Sequence, residues 1–208
     1  MFRFIFMAFI MPTTCFGVSV NKRKNPIYES IIILNTSIER EVAYSYSNII
    51  AKYSRRYRLN PFLVVSIAKQ ESGITLSAER GYFTGKVYAL SDNTLVRNYE
   101  ISDFCMMQIH RSNVIKLKLD PNRLLEDPEY CIHEGIKILK HFKFFQTLEP
   151  YIWWSRYNAS SIDKRELYRQ DVLRHYLKLK GSIKAFKKIV ERYTQQEYIQ
   201  FSNTPIQD

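Results

Sequence analysis

The sequence predicts an all-α fold, and three observations lead to that class. Apolar residues recur at helical spacing along several stretches, and helix-capping residues precede those stretches. The alternation that is typical of β-strands is limited to one short region. With 208 residues, of which 46% are hydrophobic, the chain is long enough for one domain with a core and a leader or tail. Only 6 glycines and 7 prolines are present, which excludes collagen-like and low-complexity chains.

The first 17 residues have the layout of a secretory signal peptide, so we expect an exported protein. Arg3 supplies the positive charge, Phe4–Met11 is an unbroken apolar run, and small or turn-forming residues follow. An uncleaved membrane anchor is the alternative, because residues 4–20 carry no charge. Residues 18–39 then form a linker and N-terminal segment that includes a basic stretch.

Two helices open the main domain, and the second has the clearer boundaries. Ser37–Arg58 carries an apolar stripe at helical spacing. In the next helix Asn60 is a favourable N-cap, Pro61 takes the first helical position, and Gly73 is a natural stop. Glu71 therefore stands at the C-terminal end of a mostly apolar helix.

A loop or small hairpin is expected at residues 74–103, directly after that helix, and a turn at Asp120–Pro121. Further helices are predicted at Ile109–Lys118, Asp127–Phe145, Tyr151–Tyr157, Lys164–Leu179 and Ile183–Tyr198. Gly181 separates the last two of these helices. Residues 40–180 then form the main domain, and residues 181–208 form a basic C-terminal helix and tail.

The net charge of +11 predicts a polyanionic partner, which could be a nucleic acid, an anionic membrane or an acidic wall polymer. Removal of the leader lowers this charge to +10, and export argues against nucleic acid as the partner. Part of the charge lies on the C-terminal helix, at Lys178, Lys180, Lys184, Lys187 and Lys188. That helix is either a solvated face over a packed stripe or a contact for wall polymer, peripheral membrane or partner protein.

Glu71 is the strongest catalytic candidate. Its carboxyl follows the apolar residues 62–68, and burial raises the pKa of a carboxyl, as does the C-terminal end of a helix. A carboxyl that stays protonated near neutral pH can act as a general acid. The alternative is a solvated glutamate at a helix end.

Four short segments support the catalytic interpretation by their order along the chain. They are QESG at 70–73, DFCMMQI at 103–109, the helix opened by Asp127 and Pro128, and SRYNA at 155–159. In this order they resemble the soluble, goose-lysozyme-like lytic transglycosylases, over about Ile49–Tyr176. The resemblance implies a lysozyme-like single domain with a loop or hairpin inserted after the catalytic helix.

The resemblance also implies a reaction and a set of site residues. The family cleaves the β-1,4 bond between N-acetylmuramic acid and N-acetylglucosamine in peptidoglycan and leaves a 1,6-anhydro ring, without a cofactor. By position, Glu71 is the sole acid/base, Ser72 follows it, Met107 and Gln108 line the groove, and Tyr157 and Asn158 pack beside the acid. Tyr157 is expected to donate a hydrogen bond to Glu71. The protein would then be periplasmic.

Two departures from the family pattern predict a disulfide. Cys105 stands where the family has glycine and Cys131 where it has asparagine, and they are the two cysteines that remain after the leader. The paired change suggests neighbours in space, with two buried free thiols as the alternative. The long gap between Glu71 and Gln108 is similar to conjugation- and secretion-associated members, which implies subunits of an envelope machine as partners.

Two other functions stay open. A hydrolytic, lysozyme-like muramidase would need a second carboxylate, for which the candidates are Glu79, Asp92, Glu100 and Asp103. A weakly active wall-binding scaffold would rely on the basic C-terminal helix. No metal site is expected, because His133-Glu134 lacks a second histidine at Lys137.

Overall fold

The computed structural model describes residues 25–74, 87–89, 95–97, 103–149, 152–158, 161–184 and 186–188. The expected signal peptide and C-terminal tail lie outside these residues, as do Glu79, Asp92 and Glu100. Within them, no helix is long and apolar enough to cross a lipid bilayer.

Helices dominate the described residues, which confirms the predicted all-α class. They are α1 (Pro26–Leu34), α2 (Arg40–Tyr57), α3 (Pro61–Ser72), α4 (Arg111–Lys116), α5 (Pro121–Glu126), α6 (Pro128–Phe142) and α7 (Ile162–Ser182). Two short 3-10 helices, at Lys143–Thr147 and Trp153–Tyr157, connect α6 to α7.

Among the described residues between α3 and α4 there are two antiparallel strand pairs. The first joins β1 (Val87–Ala89) to β2 (Leu95–Arg97), with Tyr88 opposite Val96, so the small hairpin predicted after α3 is confirmed. The second joins β3 (Asp103–Phe104) to β4 (Ile109–His110) around a tight turn. That turn carries the Met-Gln segment.

Helix α3 lies at the centre of the core. Every side chain from Pro61 to Ala68 is buried, and α3 packs against α1, α2 and α7. Because all its faces are covered, α3 needs an apolar sequence rather than a single stripe. Helix α1 buries Ile27, Ile31 and Leu34 against the same core, so the N-terminal segment contributes a helix to the domain.

The ends of α3 form as the sequence predicts. The Asn60 side chain accepts a 3.0 Å hydrogen bond from the Phe62 backbone N–H, and Pro61 occupies the first turn. At the other end Gly73 adopts a left-handed backbone with φ 72° and donates its N–H to the Lys69 carbonyl. Such a conformation suits glycine, which has no Cβ to clash. These caps place Glu71 in the last turn of α3.

Several predicted boundaries differ from the structure. Asp120-Pro121 begins helix α5 rather than a simple turn, because the Asp120 carboxylate caps the N–H groups of Asn122 and Arg123. Ile109 belongs to strand β4, and the long predicted helix ends at Phe142 before continuing as a 3-10 helix. Helix α7 runs through Gly181 to Ser182, since a glycine in the last turn costs a helix little.

Candidate active site

Glu71 is partly buried at the end of α3, and this burial keeps a large fraction of its carboxyl protonated near neutral pH. Burial, the largest cause, raises its pKa from 4.5 to about 7. Hydrogen bonds from Tyr168 and Asn158 act in the opposite direction, and the negative charge of Asp103 adds to the rise. A carboxyl that titrates near pH 7 has the pKa that a general acid needs at neutral pH.

Tyr168 of α7 is a hydrogen-bond partner of this carboxyl. Its hydroxyl donates a 2.5 Å hydrogen bond to Oε1 of Glu71, and only 5% of the residue is exposed. Burial and the neighbouring Glu71 raise the pKa of Tyr168 well above its usual value, so it remains a donor at any working pH.

The sequence assigned this bond to Tyr157, and that expectation was wrong. The Tyr157 hydroxyl donates to the carbonyl oxygen of Met107 at 2.8 Å. Its pKa rises because of burial first and of the charges of Glu71 and Asp103 next, so the ring lies beside the acid without donating to it. One feature of the sequence could have identified Tyr168. It shares a helical stripe with Val172 and Tyr176, and a buried tyrosine hydroxyl needs a hydrogen-bond partner.

The turn that connects β3 to β4, residues 105–108, lies next to Tyr157, and we call this turn the floor of the site. Cys105 and Gln108 have left-handed backbones, with φ 61° and 48°, and both the N–H and the Nε2 of Gln108 donate to the Cys105 carbonyl. This tight closure directs the Met107 carbonyl toward Tyr157.

The resemblance implied that Met107 lines the groove, but its side chain points into the core instead. The side chain is fully buried against Gly135 of α6. A Cβ at position 135 would lie 2.7 Å from the Cβ of Met107, so only glycine allows this approach. Gln108 is half-buried, and its amide is used in closing the turn.

The predicted disulfide is confirmed. Cys105 and Cys131 are bonded, with their Cα atoms 6.1 Å apart. The bridge ties the turn to the first residues of α6, and Gly135 holds Met107 one helical turn further along. The floor is thus attached to α6 by a covalent bond and by close packing.

Ser72 closes the C-terminal end of α3, the helix that carries Glu71. Its hydroxyl donates to the Ala68 carbonyl and accepts from the Ile74 N–H, both at 3.2 Å. The side chain of Asn35 donates to the Ile74 carbonyl at 2.7 Å, which attaches the same end to the loop after α1. Ser72 thereby limits the movement of the turn that carries Glu71.

Other polar side chains in the described residues make contacts of their own away from Glu71. In the described part of the chain no group of three or more His, Cys, Asp or Glu side chains could hold a metal ion. His133 stacks on Tyr53 with ring centroids 4.2 Å apart, and Glu134 pairs with Lys137 at 2.6 Å. Among the four candidate second carboxylates, Asp103 lies in the described residues, and its charge reaches Glu71.

The candidate site lies within a stretch of the chain that matches a known family. The family model described as the transglycosylase SLT domain matches residues 48–171, more than half of the chain. The match begins in α2 and ends in α7 just after Tyr168, so it includes Glu71 and its hydrogen-bond partners. Searches of curated proteins and of solved structures returned no match.

Proposed function

Because this chain belongs to the family of transglycosylase SLT domains, we propose that it cleaves peptidoglycan as a lytic transglycosylase. The bond cut is the β-1,4 link between N-acetylmuramic acid and N-acetylglucosamine, and one product ends in a 1,6-anhydro ring. The observation that supports the reaction most directly is Glu71, whose pKa is raised to about 7 and whose carboxyl is hydrogen-bonded by Tyr168.

One carboxyl suffices for this chemistry. The protonated Glu71 donates its proton to the leaving glycosidic oxygen as the bond to C1 of the muramic acid breaks. The resulting carboxylate then accepts the proton of the sugar's own C6 hydroxyl, whose oxygen forms the new bond to C1. No water is consumed, so the second carboxylate of ordinary glycosidases is unnecessary.

The hydrogen bonds around Glu71 favour the first proton transfer. Tyr168 and Asn158 lower the pKa of Glu71, which means that they bind its charged form better than its neutral form. The carboxylate arises as the leaving oxygen is protonated, so these donors stabilise the transition state more than the ground state. Burial counteracts them and keeps enough of the acid protonated at neutral pH.

A hydrolytic muramidase is the second candidate, and the nearness of Asp103 favours it. Its negative charge acts on both Glu71 and Tyr157, so a second carboxylate lies within electrostatic reach of the acid. If a water molecule were activated between the two carboxyls, the product would carry a reducing end instead of an anhydro ring.

The test is to digest purified sacculi with the protein and identify the soluble fragments by mass spectrometry. Anhydro ends support the proposal, reducing ends support hydrolysis, and no release from correctly folded protein overturns both. Glu71→Gln should lower release about a thousandfold, since general acid catalysis contributes on this scale. The matched control is Glu166→Gln, which removes a carboxylate paired with Arg169 on α7 and should leave release unchanged.

We also propose that the protein is exported to the periplasm, where its substrate lies. The proposal rests on the charged, apolar and small-residue regions of residues 1–17. Expression of the full chain followed by fractionation and intact-mass analysis tests it. A periplasmic product that begins near residue 18 is expected, and a full-length product in the cytoplasm would contradict it.

A further inference from the structure

Glu149, just after the first 3-10 helix, binds two arginines. Arg156 donates to it through Nε at 2.7 Å and through Nη2 at 2.6 Å, one bond to each carboxylate oxygen. Arg165 donates through Nη1 at 2.6 Å. We name these three residues the Glu149 clamp. Only 8% of the Arg165 side chain and 19% of the Glu149 side chain are exposed, so water screens the ion pairs weakly.

The two arginines stand beside the two groups that hydrogen-bond the catalytic acid. Arg156 directly precedes Tyr157 and Asn158 at the end of the second 3-10 helix. Arg165 lies three residues before Tyr168 on α7, on the same face of that helix. The clamp therefore links the segment that presents Asn158 to the helix that presents Tyr168.

We propose that Glu149 is a positioning residue for the reaction: by holding Arg156 and Arg165, it keeps Asn158 and Tyr168 on the Glu71 carboxyl. This inference rests on the proposed function of Glu71 as the catalytic acid. Glu149 itself does not touch the substrate; it acts through the two segments that it joins.

The geometry of the clamp suits this task. A bidentate arginine–carboxylate pair fixes the angle of approach as well as the distance. The Arg156 guanidinium also lies over the Phe145 ring, 4.2 Å from its centroid, and the Trp153 N–H donates to the Glu149 carbonyl at 3.0 Å. The second 3-10 helix is thus held by side-chain and backbone bonds to the same residue.

The clamp keeps its charge while Glu71 titrates. Hydrogen bonds from Arg156 and then from Arg165 lower the pKa of Glu149 to about 2. Within the described part of the chain, Glu71 interacts with Tyr168, Asn158, Asp103 and Tyr157, and none of these four belongs to the clamp. A change in the clamp therefore reaches Glu71 through the positions of its donors.

The experiment compares Glu149→Gln and Arg156→Gln with the control Glu166→Gln. The control breaks another bidentate pair, between Glu166 and Arg169, both of which lie on α7. Two quantities are measured on folded protein: kcat and KM on solubilised glycan strands, and the pKa of Glu71 by carbon-13 NMR. The Glu71 carboxyl signal is assigned by its loss in Glu71→Gln.

The clamp variants should lower kcat about tenfold with KM changed less than about twofold. They should also raise the pKa of Glu71, since weaker bonds from Tyr168 and Asn158 no longer offset burial. Arg156→Lys keeps the charge but loses the second bond, and an intermediate effect is expected. Glu166→Gln should change neither quantity.

A Glu71 pKa that stays or falls in both clamp variants overturns the inference, as does an equal effect in Glu166→Gln. If Glu149→Gln fails to fold because Arg165 is left buried beside a neutral side chain, Arg156→Gln decides, since its side chain is 31% exposed. Loss of thermal stability alone would indicate a purely structural role. The NMR titration needs no activity, so a wild type without lytic products would overturn the proposed function and leave the clamp testable.

Discussion

Glu71 and Glu149 are two partly buried glutamates whose surroundings move their pKa values in opposite directions. Burial raises the pKa of Glu71 to about 7, whereas two guanidinium groups lower that of Glu149 to about 2. The partners, more than the depth of burial, decide the outcome. The Glu71 carboxyl therefore titrates near neutral pH, and the Glu149 carboxyl stays ionised there.

The two regions are also held together differently. The floor beside Glu71 is tied to α6 by the Cys105–Cys131 disulfide and by the packing of Met107 on Gly135. The Glu149 region is held by ion pairs to Arg156 and Arg165. A reductant should therefore weaken the first region, and acid should weaken the second.

Removal of the disulfide tests how much the covalent bond between the floor and α6 stabilises the protein. Cys105→Ser with Cys131→Ser should lower the free energy of unfolding by about 3 kcal/mol, because the bridge restricts a segment of 26 residues in the unfolded chain. Urea unfolding measures the loss, and the wild type in reductant should match the double variant. Equal stability with and without reductant would contradict the prediction.

The pH dependence of stability should have opposite signs at the two glutamates. The folded pKa of Glu71 lies above its ordinary value of 4.5, so its folded state holds the proton more tightly and stability falls as pH rises from about 4.5 to about 7. Glu71→Gln removes this loss. It should gain about 2 kcal/mol relative to the wild type at pH 8 and nothing at pH 4.

Glu149 has a folded pKa below 4.5, so its stabilisation is present above that pH and is lost as pH falls toward 2. Glu149→Gln should therefore cost about 1–2 kcal/mol at pH 7 and progressively less toward pH 3. Denaturation of both variants at several pH values measures the contrast. Parallel curves for the two variants would refute it.

Loss of the Tyr168 hydroxyl should make the Glu71 site less effective without unfolding it. Tyr168→Phe removes a bond that stabilises the carboxylate, so kcat should fall about tenfold and the alkaline limb of the pH–rate profile should move to higher pH. The control is Tyr176→Phe on the same helix, whose hydroxyl accepts from Asn60 at 2.6 Å. It should lower stability and leave the profile in place.

The smallest effect concerns Asp103. Its charge raises the pKa of Glu71, so Asp103→Asn should move the alkaline limb to lower pH by less than about half a pH unit, with the anhydro product retained. Product analysis beside the pH–rate profile gives both results. Loss of a reducing-end product in this variant would instead assign Asp103 to water activation and favour hydrolysis.

Local signals predicted more of the fold than of the site. The cap at Asn60, the stop at Gly73 and the apolar run between them specify α3 and place Glu71 at its end. The cysteines were found because both depart from one family pattern. By contrast Tyr168 was missed, since a tyrosine within an apolar helical stripe resembles any other core residue until its partner is known.

The sequence by itself determined an all-α domain and the position of Glu71 at the end of an apolar helix. Only the tertiary structure decided which hydroxyl reaches Glu71, that Met107 packs inward, and that Glu149 joins Arg156 to Arg165. The reason is physical. Capping and periodicity act between residues a few positions apart, whereas hydrogen bonds and burial depend on how distant helices pack.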